Sequence, residues 1–281
     1  MERFLQMEAP AKINLGLRVL RRREDGYHDI ETVFLRIGWH DVVRVEERTG
    51  LSLEVNRPDI PSDERNLCLQ AATRLRACVE TSVGAHITLE KRIPSGAGLG
   101  GGSSDAAATL RLLQRLWSIK LSPTELHAIG RKLGADVPFF LLDERAAYAT
   151  GRGDVLHPIP TYRFPFYLVV VKPSCSISTA EAYQNVRPRV NHGEPLHAIV
   201  STNDPAYWRK ALKNDFEDWA VRTYPEVQHV HTLLTHAGAC YVSLSGSGSA
   251  LFGVFEHEQE AQDTCVMFEE QGYVAWCGGA A

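Results

Sequence analysis

The segment that most constrains this chain reads Pro94-Ser95-Gly96-Ala97-Gly98-Leu99-Gly100-Gly101-Gly102-Ser103-Ser104, with five glycines in seven positions. A strand pattern precedes it at His86–Lys91, and an alanine-rich helical pattern runs on from Ser104 to Trp117. Glycine lets the backbone take positive φ and lets a ligand approach the main chain, at a cost in chain entropy. The first turn of the following helix adds unpaired N–H groups and a partial positive charge. Together these features make a phosphate cradle; a bare flexible turn would be a costly use of five glycines. It is not a P-loop, because G-x-x-x-x-G-K-[S/T] requires a lysine that is absent. The spacing G-x-G-x-x-G is met at Gly96, Gly98 and Gly101, but only incidentally.

At 281 residues the chain suggests two domains, taken here as 1–160 and 161–281, with the boundary in the proline-spaced stretch His157–Pro165. Apolar residues at 44% and charged residues at 23% exclude disordered, collagen-like and coiled-coil classes. A net charge of −4 leaves no basic footprint for a nucleic acid, so an anionic ligand needs a local site. The stretch Met1–Glu8 lacks a signal-peptide core, and the longest apolar runs, Val137–Leu142 and Phe166–Val171, are six residues. That is far short of the ~20 needed to span a bilayer. Six cysteines without a C-x-x-C pattern fit reduced thiols in a cytoplasm, with no membrane partner.

Strands are expected at Ala11–Arg21, Asp41–Glu47, Leu51–Val55, His86–Lys91, Phe166–Val171 and Tyr273–Trp276, and a hairpin around Ser245–Gly248. Helices are expected at Glu64–Cys78, Ser104–Trp117, Ser122–Leu133, Thr179–Val186, Ala206–Ala220, Glu226–His236 and from Glu258. Ser122, Pro123 and Glu125 form a capping-box start. In the first strand Ile13, Leu15, Leu17 and Val19 share one face, and Lys12, Asn14, Gly16 and Arg18 the other.

Other candidates carry less on their own. Asp136 in Gly134-Ala135-Asp136-Val137-Pro138 reads on its own first as a helix N-cap, with an ionised acid able to take a proton from a hydroxyl as the alternative. Lys12 is either a solvated surface lysine or a cation facing a site. Leu244–Ser249 is either a hairpin turn or a second loop over a ligand, and it fails as a G-x-S-x-G elbow because position 245 is serine. His229, His231 and His236 do not share a helical face, and His257-Glu258 lacks the second histidine of H-E-x-x-H.

With these residues in view the chain resembles the GHMP kinases. The glycine segment is similar to that family's ATP-binding motif. Ala9–Leu15, Asp25-Gly26-Tyr27-His28 with Glu31-Thr32, Gly134–Phe140, Asn214–Glu217 and Leu244–Gly253 resemble a branch whose acceptor is a cytidine diphosphate-linked methylerythritol. The resemblance implies an α+β fold of two domains, an N-terminal β/α sandwich and a C-terminal ferredoxin-like domain. It implies ATP held by residues 94–104 and Mg²⁺ with no protein ligand assigned beyond Ser103 or Ser104. It also implies Asp136 as base, Lys12 as its electrostatic partner, and Asn14, Tyr27, His28, Thr179 and Tyr183 on the substrate. Arg152-Gly153-Asp154 departs from the more usual G-x-G-E. The expected molecule is a cytoplasmic monomer or weak homodimer acting on a small molecule. Homoserine or mevalonate as acceptor, or a non-catalytic nucleotide-binding regulator, are the alternatives.

Overall fold

The computed structural model describes residues 4–79, 83–188 and 193–281. Its elements form two compact units. The first comprises residues 1–11, 39–93 and 100–143, and the second residues 12–38, 94–99 and 144–281.

In the first unit the strands are the start of β1 (Phe4–Arg22), the end of β2 (His28–Glu47), β3 (Leu51–Val55) and β4 (Ala85–Glu90). β2 pairs antiparallel with β4, Val43 opposite Leu89, and β3 runs parallel to β4. Helix α1 (Leu67–Arg76) begins where the Asn66 side chain accepts from the Cys68 amide, and it packs on α2 (Gly101–Leu116). α3 (Pro123–Arg131) has the expected capping box, with Ser122 and Glu125 each accepting from the other's backbone. The short α4 (Val137–Phe140) follows. Leu75, Ile87, Leu110, Leu113 and Phe139 are wholly buried. Each such side chain contributes ~1.5–3 kcal/mol of transfer free energy.

In the second unit the start of β2 pairs antiparallel with β5 (Ala146–Thr150), which pairs with β6 (Val155–Pro158). A separate antiparallel sheet has the order β10-β7-β9-β8, made of β7 (Tyr167–Lys172), β8 (Tyr241–Leu244), β9 (Leu251–Phe255) and β10 (Val274–Gly278). Between them lie α5 (Thr179–Asn185), α6 (Leu196–Ser201), α7 (Pro205–Ala211), α8 (Glu217–Thr223), α9 (Pro225–His236) and α10 (Glu258–Glu270). α9 and α10 pack against the sheet. The interior of β7, Leu168 to Val171, is wholly buried, as a continuous apolar run demands when both faces are covered.

Two expectations change. The stretch taken as one helix over 206–220 is two, α7 and α8. The break falls at Asn214, whose side chain bonds the carbonyls of Leu244 and Gly246 and the amide of Phe216. The strand from His28 to His40, β5 and β6 were not foreseen, because they lack a clean period of two. On the polar face of β1, whose exposure the sequence left open, Lys12, Asn14 and Arg18 are buried, as are Ile13 and Leu15 on the other face. Among the described residues no helix is long and apolar enough to cross a membrane.

Candidate active site

The glycine segment needs its glycines at alternate positions. Gly96, Gly98 and Gly100 take φ of +62°, +77° and +70°, a region costly to residues with a Cβ. Gly98 is the most constrained, since a Cβ there would lie 2.0 Å from the carbonyl oxygen of Ser245. The two glycine-bearing segments of the second unit are therefore pressed together. The Ser245 hydroxyl donates to Gly98 O at 3.0 Å, and the Ala250 amide to Ala97 O at 3.1 Å. Leu244–Ser249 is thus more than a bare hairpin turn, a role its sequence left open.

Lys12 is stitched into the same place. Its amide donates to Leu99 O at 2.9 Å, and its Nζ to Gly98 O at 3.0 Å and to Asn14 Oδ1 at 2.7 Å. The ammonium also lies 5.1 Å from the centroid of Phe34. Asn14 in turn donates through Nδ2 to Thr32 Oγ1, which donates to Gly16 O. A buried ammonium held by two oxygen acceptors and an aromatic face is a fixed positive charge, unlike a solvated lysine.

Within the second unit Tyr27, His28, Thr179 and Tyr183 line one cavity of about 710 Å³, together with Arg22 and Arg152. The His28 and Tyr183 rings stack at 4.7 Å and 19°. Burial and the charge of Arg22 hold the His28 imidazole below its usual pKa, which leaves one donor and one acceptor nitrogen at neutral pH. Tyr27 projects outward, and Thr179 Oγ1 lies 3.2 Å from Ser247 Oγ. The Asp25 side of the D-G-Y-H turn is structural. Asp25 pairs with Arg23 and accepts from the Tyr27 amide, so its carboxyl is held below the usual range. Arg22 carried no sequence signal for this placement.

Gly100–Ser104 and Asp136 belong to the first unit. Gly100 occupies the N-cap of α2 without a side-chain cap, so the amides of the first turn remain for another acceptor. Ser104 Oγ is buried and has no hydrogen-bond partner among the described residues. Behind this turn, Lys91 Nζ is bound by Asp41 and by Asp105 at 2.8 Å, and all three side chains are buried. Burial, with Asp41 as a like charge, pushes Asp105 up to about 8 despite the Lys91 ammonium. Asp136 precedes α4 in αR geometry, and its side chain makes no capping bond. Among the described residues no group of three or more His, Cys, Asp and Glu side chains is placed to hold a metal ion.

Residues 66–144 match the GHMP kinases N terminal domain, and residues 196–274 the GHMP kinases C terminal domain. The chain is 52% identical over 262 residues to the 4-diphosphocytidyl-2-C-methyl-D-erythritol kinase of Salinibacter ruber, covering 92% of each. It is 44% identical over 276 residues to the enzyme of the same name from Chlorobium phaeobacteroides, covering 96% of each. A crystal structure of 4-(cytidine 5'-diphospho)-2C-methyl-D-erythritol kinase superposes with a TM-score of 0.83 at 37% identity over 99% of both chains. Homoserine kinase from Cytophaga hutchinsonii shares the fold, with a TM-score of 0.76 at 18% identity, covering all of this chain and 95% of that one.

Proposed function

Since this chain belongs to the 4-diphosphocytidyl-2-C-methyl-D-erythritol kinases, a branch of the GHMP kinases, and is accordingly an ATP-dependent phosphotransferase, we propose that it phosphorylates the 2-hydroxyl of 4-diphosphocytidyl-2-C-methyl-D-erythritol in isoprenoid precursor synthesis. The observation that carries the reading is the hydrogen bond from Lys12 Nζ to Gly98 O. It sets a buried cation on the segment proposed to receive phosphate.

Phosphoryl transfer asks chiefly for alignment and neutralisation of charge. Residues Pro94 to Ser104 would cradle the ATP phosphates through backbone amides and serine hydroxyls. Asp136, at the start of α4, would accept the proton of the acceptor hydroxyl. Lys12 would stabilise the charge that develops, with Asn14 orienting both Lys12 and the substrate. Tyr27, His28 and Tyr183 would hold the cytosine by stacking and by the neutral imidazole edge, and Thr179 would bond the substrate. Mg²⁺ fits the donors present, because the partnerless Ser104 hydroxyl is the hard oxygen that such an ion takes beside phosphate oxygens. When bound it would screen phosphate charge. We place the enzyme in the cytoplasm as a monomer or weak homodimer, without a nucleic-acid or membrane partner.

The test is ADP release from Mg-ATP with the cytidyl substrate beside mevalonate, homoserine and galactose. Turnover with the cytidyl substrate alone is expected. Turnover with a control instead would overturn the roles of Tyr27 and His28, and binding of ATP without any turnover would favour a regulator.

A further inference from the structure

The cavity that holds Tyr27, His28, Thr179 and Tyr183 has a second chemical character. Arg22 and Arg152 also line it, and no carboxylate does among the described residues. Stacked rings suit a planar base. Two guanidinium groups lining the same cavity suit an anion joined to that base.

Arg152 is the better placed of the two. It sits in the β5–β6 turn between Gly151 and Gly153, which take φ of +66° and +94°. That turn is fastened to β2, since the Ile30 amide donates to Gly151 O at 2.7 Å. The turn is closed by the Gly153 amide on Thr150 O at 3.0 Å. Asp154 accepts from the Arg152 amide at 3.1 Å and lies 3.4 Å from its Nη2. The guanidinium carbon lies over the Tyr27 ring, 4.9 Å from its centroid, so the charge is held against an aromatic face. One third of the side chain stays open to solvent, leaving donors for a ligand. A planar guanidinium with several N–H donors matches phosphate oxygens in a way that a lysine does not.

We propose that Arg152 is a specificity-determining residue that reads the diphosphate of the cytidyl substrate while fixing the Tyr27 ring beside the base. The proposal rests on the cytidyl reading of the cavity given above. It selects a nucleoside diphosphate over the free nucleoside, which the aromatic residues alone would not do.

The experiment is calorimetric titration of the full chain with CDP, cytidine and, as a control for the nucleotide site, ADP. The wild type, Arg152→Gln and Arg152→Lys are compared, with the KM of each substrate measured in parallel. The wild type should bind CDP more tightly than cytidine. Arg152→Gln should weaken CDP about tenfold and cytidine less than threefold, and should raise the KM of the cytidyl substrate while that of ATP stays within twofold. Arg152→Lys, which keeps the charge, should recover part of the loss. Equal weakening of CDP and cytidine, or no change in either, would overturn the diphosphate role and leave the cytidyl reading standing. A wild type that binds ADP but neither CDP nor cytidine would overturn the cytidyl reading itself, and this proposal with it.

Discussion

Lys12 holds two successive carbonyls of the glycine segment. Its Nζ donates to the Gly98 carbonyl at 3.0 Å, and its amide holds the next carbonyl, that of Leu99, at 2.9 Å. The strand and the glycine segment are locked by one residue whose charge is buried at the contact. Lys12→Met keeps the stem and removes the charge. It should lower kcat by ~10²–10³, the loss typical of one electrostatic contact to a transition state. CDP affinity should stay within about threefold of wild type, because Lys12 does not line the aromatic cavity. Single-turnover ADP formation beside CDP titration checks both halves.

The glycines should not be equivalent. A Cβ on Gly96 meets nothing within 4 Å, so Gly96→Ala bears only the left-handed backbone, ~1–2 kcal/mol. Gly98→Ala bears that strain and also a 2.0 Å approach to Ser245 O, a backbone atom that cannot step aside. Urea unfolding should rank Gly98→Ala clearly below Gly96→Ala in stability, with the larger rise in ATP KM as well.

The buried Lys91–Asp41–Asp105 group gives a pH signature. Asp105, raised to about 8, holds a proton when folded that the unfolded chain has lost above ~4. Its contribution to stability is therefore full below ~4 and is lost as pH rises through about 8. Asp105→Asn fixes the neutral form. The wild type should lose stability relative to that variant as pH rises from 5 to 8. Lys91→Met strands two buried carboxyls and should cost ~3–5 kcal/mol. Denaturant midpoints at several pH values decide the matter; parallel curves for wild type and Asp105→Asn would contradict it.

Tyr183→Ala should cost CDP ~1–3 kcal/mol of binding, the usual worth of an aromatic stacking partner. It removes the surface on which His28 rests at 4.7 Å. ADP affinity measured in the same titration should not move.

Local backbone demands were more legible in the sequence than contacts between distant segments. The glycine segment could be read because positive φ at alternate residues restricts the residue type so strongly. The capping box of α3 was equally visible, since Ser122 and Glu125 satisfy each other locally. The buried state of Lys12 was not visible: strand alternation puts it opposite the apolar face, and only the later return of residues 98 and 99 covers it. The break between α7 and α8 was hidden for a related reason. Asn214 ends the helical run by bonding carbonyls thirty and thirty-two residues away, at Leu244 and Gly246. The Arg152 contact with Tyr27 joins positions far apart in sequence, so no local pattern announces it.

The central claim is that the Asp136 carboxylate takes the acceptor proton, and Asp136→Asn tests it most directly. Single-turnover ADP formation with the cytidyl substrate would be followed beside calorimetric titration of ADP and CDP. The account predicts a fall in transfer of ~10² or more, the range for loss of general-base catalysis, with both affinities within about threefold of wild type. Transfer at the wild-type rate, or a loss of nucleotide affinity equal to the loss of rate, would contradict it.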